Sequence, residues 1–199
     1  RVKLQNNIIL EIKKLSKQFP GVKALDGVNI DISTAEVHAL LGENGAGKST
    51  LIKILTGAYQ KDEGEIIFNG ERVQITTPND AIDYGIGAIY QELTLIPQLS
   101  IMENMFLGNE PLRNANPPII NWDKMKKSSV EILKMLDLNI DPLTKTATLG
   151  VGMQQMVEIA KALVRTPKIL IMDEPTSSLS AAETECLFNV VDSLKKKGI

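Results

Sequence analysis

Apolar and polar positions divide the chain into short strand-like runs and longer helix-like stripes. Ile8 to Phe19 and Val28 to Ile32 read as strands, with Asp26-Gly27 as a turn between them. Ile66-Ile67-Phe68 and Arg72-Val73 flank Asn69-Gly70, a dipeptide that favours the type I′ hairpin turn. Val37 to Leu41, Ile86 to Tyr90 and Ile169 to Met172 are short apolar runs; the first and last are expected to be buried strands. Helical spacing appears at Leu51, Ile54, Leu55 and Ala58, which recur at i, i+3, i+4 and i+7. Asp123 to Leu138 places Met125, Ile132, Leu133 and Leu136 on one side. Gly152 to Val164 roughly aligns Met153, Met156, Val157, Ala160 and Val164, and Leu187, Val190, Val191 and Leu194 stripe a last helix. Methionines on such stripes are read as ordinary core. Thr77 before Pro78 opens a short helix that Gly85 ends. Ser180 and Glu183 form a capping box, and Lys195 to Lys197 suit a helix C-terminus. Leu93 to Pro118, with several prolines, reads as irregular.

Strands interleaved with helices predict an α/β fold. The chemistry begins where the run Val37 to Leu41 meets Gly42-Glu43-Asn44-Gly45-Ala46-Gly47-Lys48-Ser49-Thr50. This segment fits G-x-x-x-x-G-K-[ST], the phosphate-binding loop of nucleotide hydrolases. Polyphosphate needs many N–H donors at close range. Gly42, Gly45 and Gly47 allow positive φ and a backbone approach unobstructed by a Cβ. Lys48 adds a point charge for the outer phosphates, Ser49 a hydroxyl for Mg²⁺, and the following helix aims its N-terminal dipole at the anion.

Three further segments bear on that site. Ile169 to Met172 ends in Asp173-Glu174, and the ends of strands are where α/β sheets bind ligands. Asp173 is suited to hold Mg²⁺ through water, and Glu174 to polarise an attacking water. Gln91, after the strand Ile86 to Tyr90, offers a neutral amide able to reach metal and water. Leu149-Gly150-Val151-Gly152-Met153-Gln154-Gln155 opens a helix with glycines, a second anion-binding arrangement. One chain already has its phosphate loop, so the second invites a partner.

Composition narrows the class. The 199 residues are enough for one domain with a full core, in one or two lobes. A net charge of −2 gives no basic excess that would advertise nucleic acid. No apolar stretch approaches the roughly 20 residues of a membrane-spanning helix. The one cysteine, Cys186, excludes an internal disulfide, suits a reducing cytosol and sits on a helical stripe as packing. The only histidine, His38, falls in the first apolar run, which predicts a buried structural role. The opening at Arg1 and the stop at Ile199, after a helix that should lead into another strand, suggest a piece of something longer.

These pieces, in this order and over nearly the whole chain, resemble the ATP-binding cassette (ABC) family of transport ATPases. Gly42 to Thr50 looks like Walker A, Gln91 like the Q-loop glutamine, Leu149 to Gln155 like the signature motif, and Ile169 to Glu174 like Walker B. Ser177-Ser178-Leu179-Ser180 looks like the D-loop, and Phe19 like the aromatic that stacks on adenine. Longer runs, such as Ile89-Tyr90-Gln91-Glu92-Leu93, are similar to monosaccharide importers of the ribose/galactose/xylose type, whose polypeptide carries two cassettes in tandem. The chain is similar to the first of them.

The resemblance implies a P-loop NTPase cassette with a mixed or parallel core sheet, an antiparallel β subdomain and an α-helical subdomain. The nucleotide-binding core would take residues 1–92 and 165–199, the signature subdomain 93–164. It implies ATP and Mg²⁺ as ligands, with Ser49, Gln91 and Asp173 on the metal and Glu174, Lys48 and Gln91 catalytic. Partners would be a second cassette, membrane permease subunits and, indirectly, an extracellular or periplasmic solute-binding protein, with no nucleic acid. The place of action would be the cytoplasmic face of the membrane. Two departures from the family pattern carry weight: Gly150 stands where the family has its signature serine, and the switch histidine is expected beyond Ile199. A nucleoside importer, a soluble ABC protein of translation or DNA repair, and a non-catalytic regulatory cassette remain as alternatives.

Overall fold

A computed structural model describes residues 8–114, 116–175 and 179–199. It divides into two compact units, one running up to Gly87 and taking in Leu194–Ile199, the other Ala88–Ser193.

The first unit is built on a four-stranded antiparallel sheet of order β2-β1-β3-β4, from β1 (Ile8–Phe19), β2 (Val22–Ser33), β3 (Glu63–Phe68) and β4 (Glu71–Val73). Leu10, Ile12, Leu15 and Ile66 are buried almost completely, and each contributes about 1.5–3 kcal/mol by leaving water. Asn69 and Gly70 take positive φ of 50° and 82°, as the I′ turn between β3 and β4 requires. The first hairpin turns elsewhere than the sequence predicts. Phe19 pairs with Val22 across Pro20-Gly21, where Gly21 has φ 80°. Proline followed by a left-handed glycine is the type II combination. Asp26-Gly27 lies inside β2, where the pairing shifts register and the Gly27 N–H is taken by the Ser16 hydroxyl at 3.0 Å. A turn-forming dipeptide is equally at home in a bulge, and pairing decided between them.

Helix α1 (Lys48–Leu55) buries Leu51, Ile52, Ile54 and Leu55. Helix α2 (Pro78–Asp83) starts as expected: the Thr77 side chain accepts from the Asp80 N–H, and Asp80 reaches back to the Thr77 N–H at 2.9 Å.

The run Val37 to Leu41 is a correction. It is not a strand, and Leu41 is 89% exposed. Among the described residues no sheet includes it. Apolar composition supplies the motive for burial, but a strand forms only where a neighbouring strand accepts its N–H and C=O groups. His38 is consequently not a buried strand residue; it lies exposed with Nδ1 3.1 Å from the Glu36 carboxylate.

In the second unit, helices α3 (Ile101–Phe106), α4 (Trp122–Met135) and α5 (Val151–Leu163) pack on one another. Ile101, Met105, Met125, Leu133, Val157 and Ile159 form their core. Helix α3 falls in the stretch read as irregular. Its signal was present: Ser100 accepts from the Glu103 N–H, and Glu103 accepts from the Ser100 N–H at 2.7 Å, a complete capping box. The short pair β6 (Leu112–Arg113) and β7 (Ile119–Ile120) precedes α4. Strand β5 (Ile86–Ile89) leads into this unit and pairs with β8 (Ile169–Met172). Every residue of β8 is half-buried rather than fully covered as predicted, since the described residues give it one neighbouring strand. The last helix, α6 (Ala181–Lys196), begins at the expected box, with the Ser180 hydroxyl 2.7 Å from the Glu183 carboxylate.

Candidate active site

In the first unit the sequence Gly42 to Thr50 folds into an open loop entering α1. Gly45 and Gly47 have φ of 86° and 87°, left-handed values that cost an L-residue about 1–2 kcal/mol. At Gly47 the space is as restrictive as the backbone: a Cβ would run into the Ala24 carbonyl and lie 2.9 Å from Leu25 Cδ2. Gly42 would meet Ala46 Cβ at 3.1 Å, while Gly45 faces open space. Gly47 caps α1 without a side-chain hydrogen bond. The first-turn N–H groups of Lys48, Ser49 and Thr50 therefore point outward at the positive end of the helix dipole. Lys48 Nζ donates to the carbonyl oxygens of Gly42 at 2.7 Å and Glu43 at 2.9 Å, and the Ala46 N–H donates to the Glu43 carbonyl at 3.1 Å. Glu43, Asn44 and Ser49 are exposed. What results is a concave run of donors with one cation folded across it.

Phe19 ends β1 in the same unit. Its ring is half-buried and meets Tyr59 edge-on, centroids 5.5 Å apart at 67°. Lys17 Nζ lies 5.5 Å from the Phe19 centroid.

The remaining candidates belong to the second unit. Asp173 follows β8 and is tied to β5 through its N–H, which donates to the Ile89 carbonyl at 3.0 Å. Glu174 is exposed with φ 48°. A non-glycine residue held there stores about 1–3 kcal/mol, an outlier of the kind that clusters where chemistry is done. Gln91 is exposed just past β5.

Gly150 is the N-cap of α5, with φ −65°, ψ 158° and no side-chain cap hydrogen bond. Nothing lies within 4 Å of a Cβ built on it. The Gln154 side chain donates to the Leu149 carbonyl at 3.0 Å and so shapes the turn before the helix. Val151 is exposed, Met153 half-buried, and Gly152 buried against the Glu183 side chain, which leaves no room for a Cβ. The Glu183 carboxyl is held below its ordinary range by the Ser180 N–H, then the Ser180 hydroxyl and, more weakly, the Gly152 N–H. Of the D-loop candidates, Leu179 and Ser180 are described and Ser177 and Ser178 lie outside the described residues.

Sequence reasoning missed the groups that hold the segment after Gln91. The Thr94 hydroxyl donates to the buried Glu158 carboxylate at 2.8 Å, and Lys161 Nζ donates to the Thr94 hydroxyl at 2.7 Å. Asn104, buried on α3, accepts from the Ile96 N–H at 2.7 Å and donates to the Ile96 carbonyl at 3.0 Å. The available signal was polarity out of place: Asn104 lies among Met102, Met105 and Phe106, and Glu158 within the apolar stripe of α5. Buried polar groups of this kind are kept where they are hydrogen-bonded.

A left-handed glycine, an uncapped helix start and a lysine across the loop define a P-loop nucleotide-binding domain. A family model described as ABC transporter matches residues 25–177. The chain belongs to the ABC transporter family. It is 50% identical over 196 residues to the ribose import ATP-binding protein of Rhodopirellula baltica, covering 98% of this chain and 38% of that protein. The xylose import ATP-binding protein of Thermoanaerobacter pseudethanolicus is 51% identical, with 96% of this chain and 38% of the relative covered. Among solved structures, an ATP-binding cassette of an ABC transporter in its ADP conformation superposes with TM-score 0.85 at 31% identity, over 96% of this chain and 78% of that one. The dimeric structure of a bacterial ABC transporter cassette gives TM-score 0.77 at 27% identity, over 95% and 84%. The chain thus spans a little over a third of the length of the curated relatives it matches.

Proposed function

We propose that this chain is the ATP-binding and hydrolysing part of a subunit that powers import of a simple sugar. The observation that carries the proposal is the Gly42 to Thr50 loop, with Gly47 left-handed, α1 uncapped and Lys48 across the cradle. In this reading the loop N–H groups and Lys48 bind the β- and γ-phosphates, and Phe19 stacks on the adenine. Ser49, Gln91 and Asp173 hold Mg²⁺, which when bound neutralises phosphate charge. The donor set suits that ion: Asp173 is its one carboxylate, Ser49 and Gln91 are neutral oxygens, and Mg²⁺ is usually held through one or two carboxylates with phosphate oxygens and waters completing its shell. Among the described residues no three His, Cys, Asp or Glu side chains gather into a metal site.

Glu174 orients the attacking water and takes its proton. Leu149 to Met153 present the α5 N-terminus to the nucleotide of a second cassette, and the D-loop segment that includes Leu179 and Ser180 serves the same boundary. Residues 93–164 act as the signature subdomain, residues 1–92 and 165–199 as the nucleotide-binding core. Permease subunits are the membrane partner, and an extracellular solute-binding protein delivers the sugar. Among the described residues no helix is long and apolar enough to cross a membrane, which suits a peripheral place on the cytoplasmic face. Relatives named for import of ribose, xylose and galactose resemble the chain almost equally, which supports a simple sugar as the solute.

The test is sugar-dependent ATP hydrolysis by the intact protein reconstituted with its permease. Hydrolysis stimulated by a pentose or hexose together with its binding protein supports the reading. Hydrolysis indifferent to every sugar, but stimulated by ribosomes or DNA, overturns it.

A further inference from the structure

We propose that Tyr59 and Asp62, in the connection between α1 and β3, are positioning residues for the aromatic platform at Phe19. The inference rests on the reading of Phe19 as the adenine-stacking residue and goes beyond it by naming what holds the ring.

Three independent ties converge there. The Tyr59 and Phe19 rings meet at 67° with centroids 5.5 Å apart, an edge-to-face pair that fixes the tilt of the Phe19 ring. Tyr59 is itself held: its N–H donates to the Lys53 carbonyl at 3.0 Å, and Lys53 Nζ lies 5.1 Å from its ring centroid. Asp62 grips the strand that carries Phe19 with both carboxylate oxygens. One accepts from Lys17 Nζ at 2.7 Å, the other from the Gln18 N–H at 2.7 Å, and the Asp62 N–H donates to the Ser16 carbonyl at 3.0 Å. Lys17, fixed by that pair, lies 5.5 Å from the Phe19 ring.

The connection starts just past the C-terminal end of α1, whose N-terminal end is the phosphate loop. An eight-residue helix is about 12 Å long. The same rigid helix therefore carries the phosphate cradle at one end and the support of the base platform beyond the other. A ring left on a free hairpin end would lose rotational freedom on stacking, and the anchoring removes that cost in advance.

The experiment titrates the intact protein with ATP and with inorganic tripolyphosphate, which has no base. Tyr59→Ala is expected to weaken ATP about 3- to 10-fold, the size of an aromatic edge contact, and to leave tripolyphosphate unchanged. Tyr59→Phe should bind both as wild type does. Asp62→Ala, at an exposed position, is the second variant should Tyr59→Ala fold poorly, with the same selective loss. Equal weakening of both ligands by Tyr59→Ala and Asp62→Ala would overturn the proposal, because it would place the effect on the cradle. So would wild-type ATP affinity in these variants while Phe19→Ala loses affinity. If Phe19→Ala itself binds ATP normally, the reading of Phe19 fails, and the platform with it.

Discussion

Lys48 Nζ donates to the carbonyl oxygen of Gly42 at 2.7 Å, so the loop's cation is folded onto the loop's first residue. The lysine ties the loop together, and on the proposed reading it exchanges those carbonyls for phosphate oxygens when nucleotide arrives. Lys48→Ala is expected to weaken ATP binding roughly 10- to 100-fold, the loss of hydrogen bonds to a charged group. It should lower the melting temperature by only a few degrees, because the bonds it gives up lie at an exposed site. Isothermal titration and a thermal melt check both halves.

Gly45 and Gly47 share a left-handed backbone but differ in surroundings, which separates conformational strain from steric collision. Gly45→Ala faces open space and should cost about 1–2 kcal/mol from φ alone. Gly47→Ala adds a collision with the Ala24 carbonyl and should cost about 2–4 kcal/mol. Chemical denaturation measures the difference. Equal losses would show that the loop relaxes away from Ala24 and Leu25.

Gly150 has the extended backbone of an N-cap, and among the described residues nothing lies where a side chain would go. Gly150→Ser therefore fits without strain. It should stabilise α5 by a few tenths of a kcal/mol and, on the proposed reading, add a hydroxyl donor toward the nucleotide of a second cassette. Hydrolysis by the assembled transporter should rise up to about 10-fold, the lower end for a hydrogen bond to a charged group. An unchanged rate would separate Gly150 from any nucleotide contact.

Asp80 holds the start of α2 by accepting from the Thr76 hydroxyl at 2.7 Å, the Thr76 N–H at 2.8 Å and the Thr77 N–H at 2.9 Å. These bonds, the Thr76 hydroxyl first, pull its carboxyl from an ordinary value of 3.8 down to about 2. A depressed folded-state pKa means that the contribution is complete above 3.8 and is lost as pH falls through about 2. The stability difference between wild type and Asp80→Asn should stay level from neutral pH to about pH 4 and then close toward pH 2. A difference that persists undiminished at pH 2 would contradict this assignment.

Local chemistry was legible in the sequence wherever neighbours in the chain determine it. The Asn69-Gly70 turn, the Thr77 cap, the Ser180 box and the helix entering from Lys48 all formed as expected, because each is set by a few adjacent residues. What failed depended on distant partners. Val37 to Leu41 has the composition of a buried strand yet joins no sheet among the described residues, and composition says nothing about which strand would pair with its N–H and C=O groups. Asp26-Gly27 satisfies the rule for a turn, but the pairing of Phe19 with Val22 put the turn at Pro20-Gly21. Helix α3 is short and lies in a proline-bearing stretch that reads as loop, so its one local start signal is the Ser100–Glu103 box. At the candidate site, the glycine loop was plain from its motif. The supports at Tyr59, Asp62, Asn104 and Glu158 were not, since their partners lie far off in sequence or on another element.

On the proposed reading this cassette hydrolyses ATP with Glu174 as the base. The most direct test is Glu174→Gln in the intact protein, with ATP binding and steady-state turnover measured on the same preparation. The substitution keeps shape and removes the proton acceptor, so affinity should remain at the wild-type value while turnover falls roughly 10²- to 10⁴-fold. Turnover equal to wild type, with binding intact, would contradict the account.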